Sequence, residues 1–216
     1  ILDTGATPVI VDIDDTLNIC PKSLESAITK KTKVILPVHM MGTAANMDAV
    51  MALAKKYQLK VLEDTAQACG GTYNGKLLGT IGSIGAFSTD AGKTLSTGEG
   101  GMVLASDENL FTRARAFHDH GHEYSTSVGR GEEAALGWGF NYRMTELQGA
   151  IGLVQLSKLD YILEKQRENK RKLKEAIDTS RFRFRNILNP LSLLHQGITR
   201  SIAASHSAPG EVKVKR

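Results

Sequence analysis

A lysine set among glycines between two apolar runs is the sharpest chemical feature of this sequence. Lys93 follows Ser88 by five positions and precedes Thr97-Gly98-Glu99-Gly100-Gly101. Gly92-Lys93-Thr94 matches the end of a phosphate-binding GxxxxGK[ST] loop, but that motif needs Gly at position 87, where this chain has Phe. The P-loop reading is therefore rejected. A desolvated, fixed lysine amine is a nucleophile near neutral pH, so Lys93 is a candidate covalent catalyst. The alternative is an ordinary exposed lysine.

A second candidate is Asp64 in VLEDTAQACGG, at the C-terminal end of an apolar strand pattern, where open α/β sheets place their ligands. A carboxylate there can pair with a protonated ring nitrogen, or it can simply cap a turn. The two features gain weight together. Pyridoxal phosphate (PLP) needs a lysine for its aldehyde and a carboxylate for its pyridinium nitrogen. Here the Asp precedes the Lys by 29 residues, with the Ser88 hydroxyl and the Gln67 amide nearby in sequence.

The elements that must position these groups alternate in type. Pro8–Ile13, Lys33–His39 and Leu59–Leu62 read as strands, the last ending on Glu63-Asp64. Leu24–Ile28 reads as a short helix with Pro21 before it. Asn46 can cap a helix in which Met47, Val50, Met51 and Ala54 fall on one face. This alternation predicts a parallel sheet covered by helices. Ten of the 21 glycines lie between Gly70 and Gly101, around two further strand patterns, Gly85–Ser88 and Gly101–Ala105. Residues 107–118 read as a helix, 119–141 as a polar loop, and Met144–Ile177 as one long helix or two in series. After Ile187 no pattern is sustained, and 188–216 reads as disordered or foreign to the fold, or as a surface tail.

Several segments together resemble the DegT/DnrJ/EryC1/StrS sugar aminotransferases, which are fold-type-I PLP enzymes. They are GATPVIVDID at 5–14, VHMMGTAANMD at 38–48, the run from Val61 to Ser88, KTLSTGEGGMV at 93–103 and NYRMTELQGAIGLVQLSKLD at 141–160. The resemblance implies an α/β large domain over residues 1–180, with a mixed, mostly parallel sheet flanked by helices. Residues 181–216 would hold a truncated start of a small domain plus an aberrant or disordered basic tail. Lys93 is implied to bond the cofactor aldehyde and shuttle protons, and Asp64 to pair with the ring nitrogen. Gln67 would lie against the ring or its phenolic oxygen, and Ser88 would contact the phosphate. Asn141 would reach the phosphate in a neighbouring subunit's site, which implies a homodimer with shared active sites. Some members of the superfamily carry His at the lysine position and are dehydratases, so Lys93 favours transamination.

A narrower likeness lies in HMMG at 39–42, HDHGHEYSTSVGRG at 118–131 and LGWGFNYR at 136–143. It points to the branch that aminates C8 of a 3-deoxy-octulosonate, with 4-keto or 3-keto nucleotide sugars as the alternative substrates. Substrate contacts are then expected at His39, His120, Tyr142 and Arg143, and glutamate or glutamine as amino donor. His118, His120 and His122 could share a strand face and bind Zn²⁺, but Gly121 suggests a loop, and no metal is expected. The resemblance further implies a phosphate-binding turn before Ile1 and a small domain after the long helix. A chain lacking both is expected to bind cofactor weakly or not at all, and a non-catalytic PLP-binding protein or an inactive fragment stays open.

Charge and composition set the remaining bounds. The net charge of +4 suggests an acidic partner only at first sight. Residues 181–216 hold seven Lys/Arg against Glu211 alone, a net of +6, which leaves residues 1–180 at −2. No nucleic-acid partner is expected. No apolar run approaches a membrane span. Cys20 and Cys69 make no disulfide framework, which favours a reducing, cytoplasmic compartment.

Overall fold

The computed structural model describes residues 1–129, 131–177, 182–185, 187 and 202–204. Its centre is a four-stranded sheet in the order β1 (Val34–Ile35), β2 (Lys60–Asp64), β5 (Ile84–Ser88) and β6 (Gly101–Ala105). β1, β2 and β5 run parallel, and β6 joins antiparallel at the edge. Between β2 and β5 lies a small hairpin, β3 (Thr72–Tyr73) and β4 (Lys76–Leu77). Its turn residues Asn74 and Gly75 both have positive φ, 48° and 78°, the pair of left-handed residues a two-residue hairpin turn needs.

α1 (Pro21–Ala27) opens with proline at its first position, where the missing N–H costs nothing. α2 (Met47–Tyr57) starts as expected, with the Asn46 side chain accepting the Ala49 N–H at 3.1 Å. Its buried stripe of Met47, Val50 and Ala54 packs with Ile35 of β1 and Val61 of β2, which forms the core. α3 (Glu108–His118) is capped by Asp107, whose side chain accepts the Leu110 N–H. The long helical pattern resolves into α4 (Glu146–Ser157) and α5 (Leu159–Ala176), broken at Lys158. α5 reaches the core through Leu163, which lies against Gly70. A Cβ at Gly70 would come within 2.7 Å of Leu163 Cδ1. The mixed, mostly parallel sheet flanked by helices is the architecture expected.

Two strand expectations are corrected. Pro8–Ile13 forms no strand: Ile13 makes a lone bridge to Ile19, and Ile10 is 90% exposed. Among the described residues no neighbouring strand lies alongside to form a ladder, and the backbone of Asp12 bonds instead to Cys20 N–H and the Ser23 hydroxyl. Lys33–His39 narrows to Val34–Ile35 plus a bridge from Val38 to Asp64, because Pro37 has no N–H to donate.

The expected small-domain start and tail fall mostly outside the described residues. Within the described part, β7 (Phe182–Phe184) pairs antiparallel with β8 (Ile202–Ala204). Apolar surface is left open at Trp138, 94% exposed, and on α4, where Leu147 is 78% exposed.

Candidate active site

Successive residues of a strand point to opposite faces of its sheet, so the neighbours Glu63 and Asp64 face different surroundings. Glu63 shares the covered face with Val61 and is fully buried. Its Oε2 accepts from the His39 ring at 3.0 Å and the Gly79 N–H at 2.8 Å. Its Oε1 accepts the Ile81 and Gly82 N–H groups at 2.7 and 2.6 Å. Burial alone would push this carboxyl up. The hydrogen bonds from His39, Gly82 and Gly79 outweigh that and hold it below its ordinary value.

His39 is 0% exposed, and both its ring nitrogens are committed. Nδ1 accepts the Ala45 N–H at 3.2 Å, which leaves the proton on Nε2, facing Glu63. The substrate contact expected at His39 is therefore corrected. It is a buried structural histidine, enclosed with Glu63 and unable to meet a ligand from solvent.

Asp64 faces the other way, at the C-terminal end of β2. It is in register with Ala86 of β5, so Ser88, two residues on, lies on the same face and at the same strand ends. One Asp64 oxygen accepts the Ala66 N–H at 3.0 Å. The other has no partner among the described residues. The backbone here is tied by Asp64 N–H to the Pro37 carbonyl and by His39 N–H to the Asp64 carbonyl.

Gln67 follows on the next turn, and its Oε1 accepts the Met41 N–H at 2.8 Å. A backbone N–H can only donate, so this bond identifies the amide oxygen and leaves Gln67 Nε2 spare as a donor. Met41 has φ +53°, a strained value for a side-chain-bearing residue. The turn is also held by Asn18, whose Oδ1 accepts the Met40 N–H at 2.9 Å.

Lys93 sits in the loop between β5 and β6, half-buried, its backbone N–H on the Asp90 carbonyl at 3.0 Å. The ends of this loop are stitched by the Thr89 and Thr97 hydroxyls, 2.8 Å apart and buried, and by Thr97 N–H on the Thr89 carbonyl. Gly101 permits the close return of the chain, since a Cβ there would lie 2.3 Å from the Phe87 carbonyl oxygen. No partner for Lys93 Nζ occurs among the described residues. A carboxylate with a spare oxygen, an amide donor, a hydroxyl and a lysine amine form a donor set that fits pyridoxal phosphate.

The remaining expected residues gather elsewhere, around Asp119, which sequence reasoning missed. Asp119 is 1% exposed. Its Oδ1 meets the His120 ring at 3.0 Å and Arg143 Nε at 3.4 Å, and its Oδ2 accepts from the Tyr124 hydroxyl at 2.7 Å. Arg143 Nε also donates to Asn141 Oδ1 at 3.0 Å. The Tyr142 ring stacks on Phe140. His122 pairs with Glu133 at 2.7 Å, and the His118 ring contacts the Arg115 carbonyl. Ligand atoms of Asp119, His120 and His122 lie within 4.8 Å of one another, but Arg143 and Tyr124 already occupy Asp119. A carboxylate at the end of α3 between two histidines carried no signal beyond a polar loop.

The Lys93 loop also meets the start of α4. Thr145 and Gln148 form a capping box at the start of α4, and Gln148 Nε2 donates to the Glu99 carbonyl of the Lys93 loop at 2.9 Å.

Known proteins resemble this chain over most of its length. The spore coat polysaccharide biosynthesis protein SpsC of Bacillus subtilis is 44% identical over 175 residues, 78% of this chain and 44% of its own length. GDP-perosamine synthase of Caulobacter vibrioides is 41% identical over 161 residues, 72% of this chain and 41% of its own. The chain thus spans less than half the length of these relatives. The E. coli GDP-4-keto-6-deoxy-D-mannose-3-dehydratase, solved with bound hydrated PLP, superimposes with a TM-score of 0.74 at 27% identity, covering 88% of this chain and 54% of that one. A family profile matches residues 1–196, and the chain belongs to the DegT/DnrJ/EryC1/StrS aminotransferase family.

Proposed function

We propose that this chain is the cofactor-binding part of a PLP-dependent aminotransferase that moves an amino group from glutamate or glutamine to a keto sugar. One observation carries the reading. Asp64, Ser88 and Lys93 come off the same ends of two adjacent parallel strands, with Gln67 oriented so that its donor group is spare. Lys93 would hold the cofactor through its amine, Asp64 through the ring nitrogen, Gln67 through the ring oxygen and Ser88 through the phosphate. The cofactor, when bound, supplies an electron sink for the α-carbon of the donor. The second Asp64 oxygen, without a partner among the described residues, would hold a proton on the ring nitrogen. Lys93 Nζ would be the group that moves a proton at the donor's α-carbon, as base and then as acid.

The sugar is read as nucleotide-linked, since two of the relatives are named for GDP-linked sugars. C8 of a 3-deoxy-octulosonate is the second reading, supported by the sequence of loop 118–131. Asn141 is exposed and positioned by Arg143, which suits a contact to a second subunit. The open apolar residues on α4 and at Trp138 suit burial in a homodimer. A large domain over 1–180 and a small-domain start from 181 remain the proposed organisation. Among the described residues no helix is long and apolar enough to cross a membrane. A cytoplasmic location is proposed from the reduced cysteines and the nucleotide-sugar chemistry.

The test is addition of pyridoxal phosphate. With the chain extended to its relatives' length, a visible absorption band that K93A abolishes, and that glutamate bleaches, is expected; the 216 residues alone are expected to give a weak band or none. A band that glutamate leaves unchanged would make the chain a non-catalytic cofactor binder, and no band would make it a fragment without cofactor. Amination assays with the chain extended to its relatives' length, on keto-octulosonate and on 4-keto nucleotide sugars, decide the substrate.

A further inference from the structure

We propose that Lys170, Lys174 and Arg185 form an oxyanion subsite for a phosphate-class group, beside the Met40–Met41 turn and separate from the cofactor residues. Lys170 and Lys174 are four apart on α5 and so lie on one helix face. Arg185, just past β7, joins them from a different part of the chain. All three are partly buried, and each of the lysines lacks a carboxylate partner among the described residues. The other α5 lysines differ: Lys165 and Lys172 both bind Glu168, at 3.0 and 2.7 Å.

The Arg185 fork is half used. Its Nη2 donates to the Met40 carbonyl at 2.7 Å, which fixes the guanidinium plane. Its Nη1 is buried and has no acceptor among the described residues. A buried donor without a partner is costly, and a guanidinium held by one arm presents the other for a planar oxyanion. Lys174 Nζ stands 4.7 Å over the Phe184 ring, which holds the ammonium near this spot. Burial and the nearby charges of Lys174 and Arg185 push Lys170 down to about 8. Like charges brought this close are repulsive, and a multivalent anion between them would turn that repulsion into attraction.

The subsite touches the cofactor region through one turn. The Met40 carbonyl bonds Arg185, and the next amide, Met41 N–H, bonds Gln67. An anion bound here would brace the turn that orients Gln67. The assignment does not depend on which sugar is aminated, or on whether one is.

The experiment is calorimetric titration of the full chain with inorganic phosphate, pyrophosphate and GDP, each with and without saturating pyridoxal phosphate. Saturable binding of one anion per chain is expected, with pyrophosphate tighter than phosphate. K170Q and R185K should each weaken it by about tenfold, the second because lysine keeps the charge and loses the fork. K172Q, on a lysine already paired with Glu168, should leave binding unchanged. Salt on the order of 0.5 M should suppress it. GDP binding tighter than pyrophosphate would assign the group to a nucleotide, and equal binding to a free anion. Absence of saturable binding, equal binding by K170Q and K174Q that unfold at the wild-type temperature, or one-for-one competition by pyridoxal phosphate would overturn the proposal.

Discussion

The two faces of the central sheet treat adjacent carboxylates in opposite ways. Glu63 is sealed beneath α2, and its oxygens accept four hydrogen bonds from His39, Gly79, Ile81 and Gly82. Asp64 lies on the open face with one oxygen bound by Ala66 and one unclaimed among the described residues. A saturated carboxylate stabilises, and an unsaturated one can react or bind. The difference is made by strand alternation alone, since the two residues are neighbours in β2. Glu63 sets the Gly79–Gly82 turn and the strand end, and Asp64 uses the position that Glu63 secures.

The strongest way to break this contrast is on the open face. In the extended chain, K93A should abolish the visible band with pyridoxal phosphate and lower half-transamination with glutamate by roughly 10²–10⁴-fold, read by stopped-flow absorbance, with little change in unfolding temperature. On the covered face the effect should be reversed in kind. E63A leaves His39 and three backbone N–H groups without an acceptor and should cost about 3–5 kcal/mol in urea unfolding. A loss under about 1 kcal/mol would mean that the face is not sealed.

Acid should separate the faces next. The Glu63 carboxyl is held below its ordinary value, so its contribution to stability is complete above about pH 4.5 and is lost as pH falls through its folded-state value. E63Q should flatten that acid limb, and D64N should leave it in place. The smallest effect is at the edge of the covered face. N46A removes the cap that accepts the Ala49 N–H and should cost about 1 kcal/mol, with the cofactor band unchanged.

Local physics was readable in the sequence where it was self-contained. Asn46 and the Met47–Val50–Ala54 stripe predict α2 because both signals act within a few residues. Asp64, Ser88 and Lys93 were marked by their places at strand ends and among glycines. Pro8–Ile13 was misread because β propensity cannot provide the partner strand that a ladder requires. The Asn74-Gly75 turn was passed over amid so many other glycines, although that dipeptide between short apolar runs is a strong hairpin signal. His39 was assigned to the substrate on resemblance, and only the tertiary contact with Glu63, 24 residues away, shows it enclosed. Asp119 escaped for the same reason: its importance lies in partners that the chain brings to it from Tyr124 and Arg143.

Gln148 ties two events into one equilibrium. Its amide oxygen completes the first turn of α4, and its amide nitrogen holds the Glu99 carbonyl of the lysine-bearing loop. Linkage is reciprocal, so whatever orders the loop must also resist fraying of α4, by the same free energy. The start of that helix thereby becomes a reporter of loop occupancy. Amide exchange at residues 146–149 should slow when pyridoxal phosphate is added, and Q148A should uncouple the two while leaving each able to form.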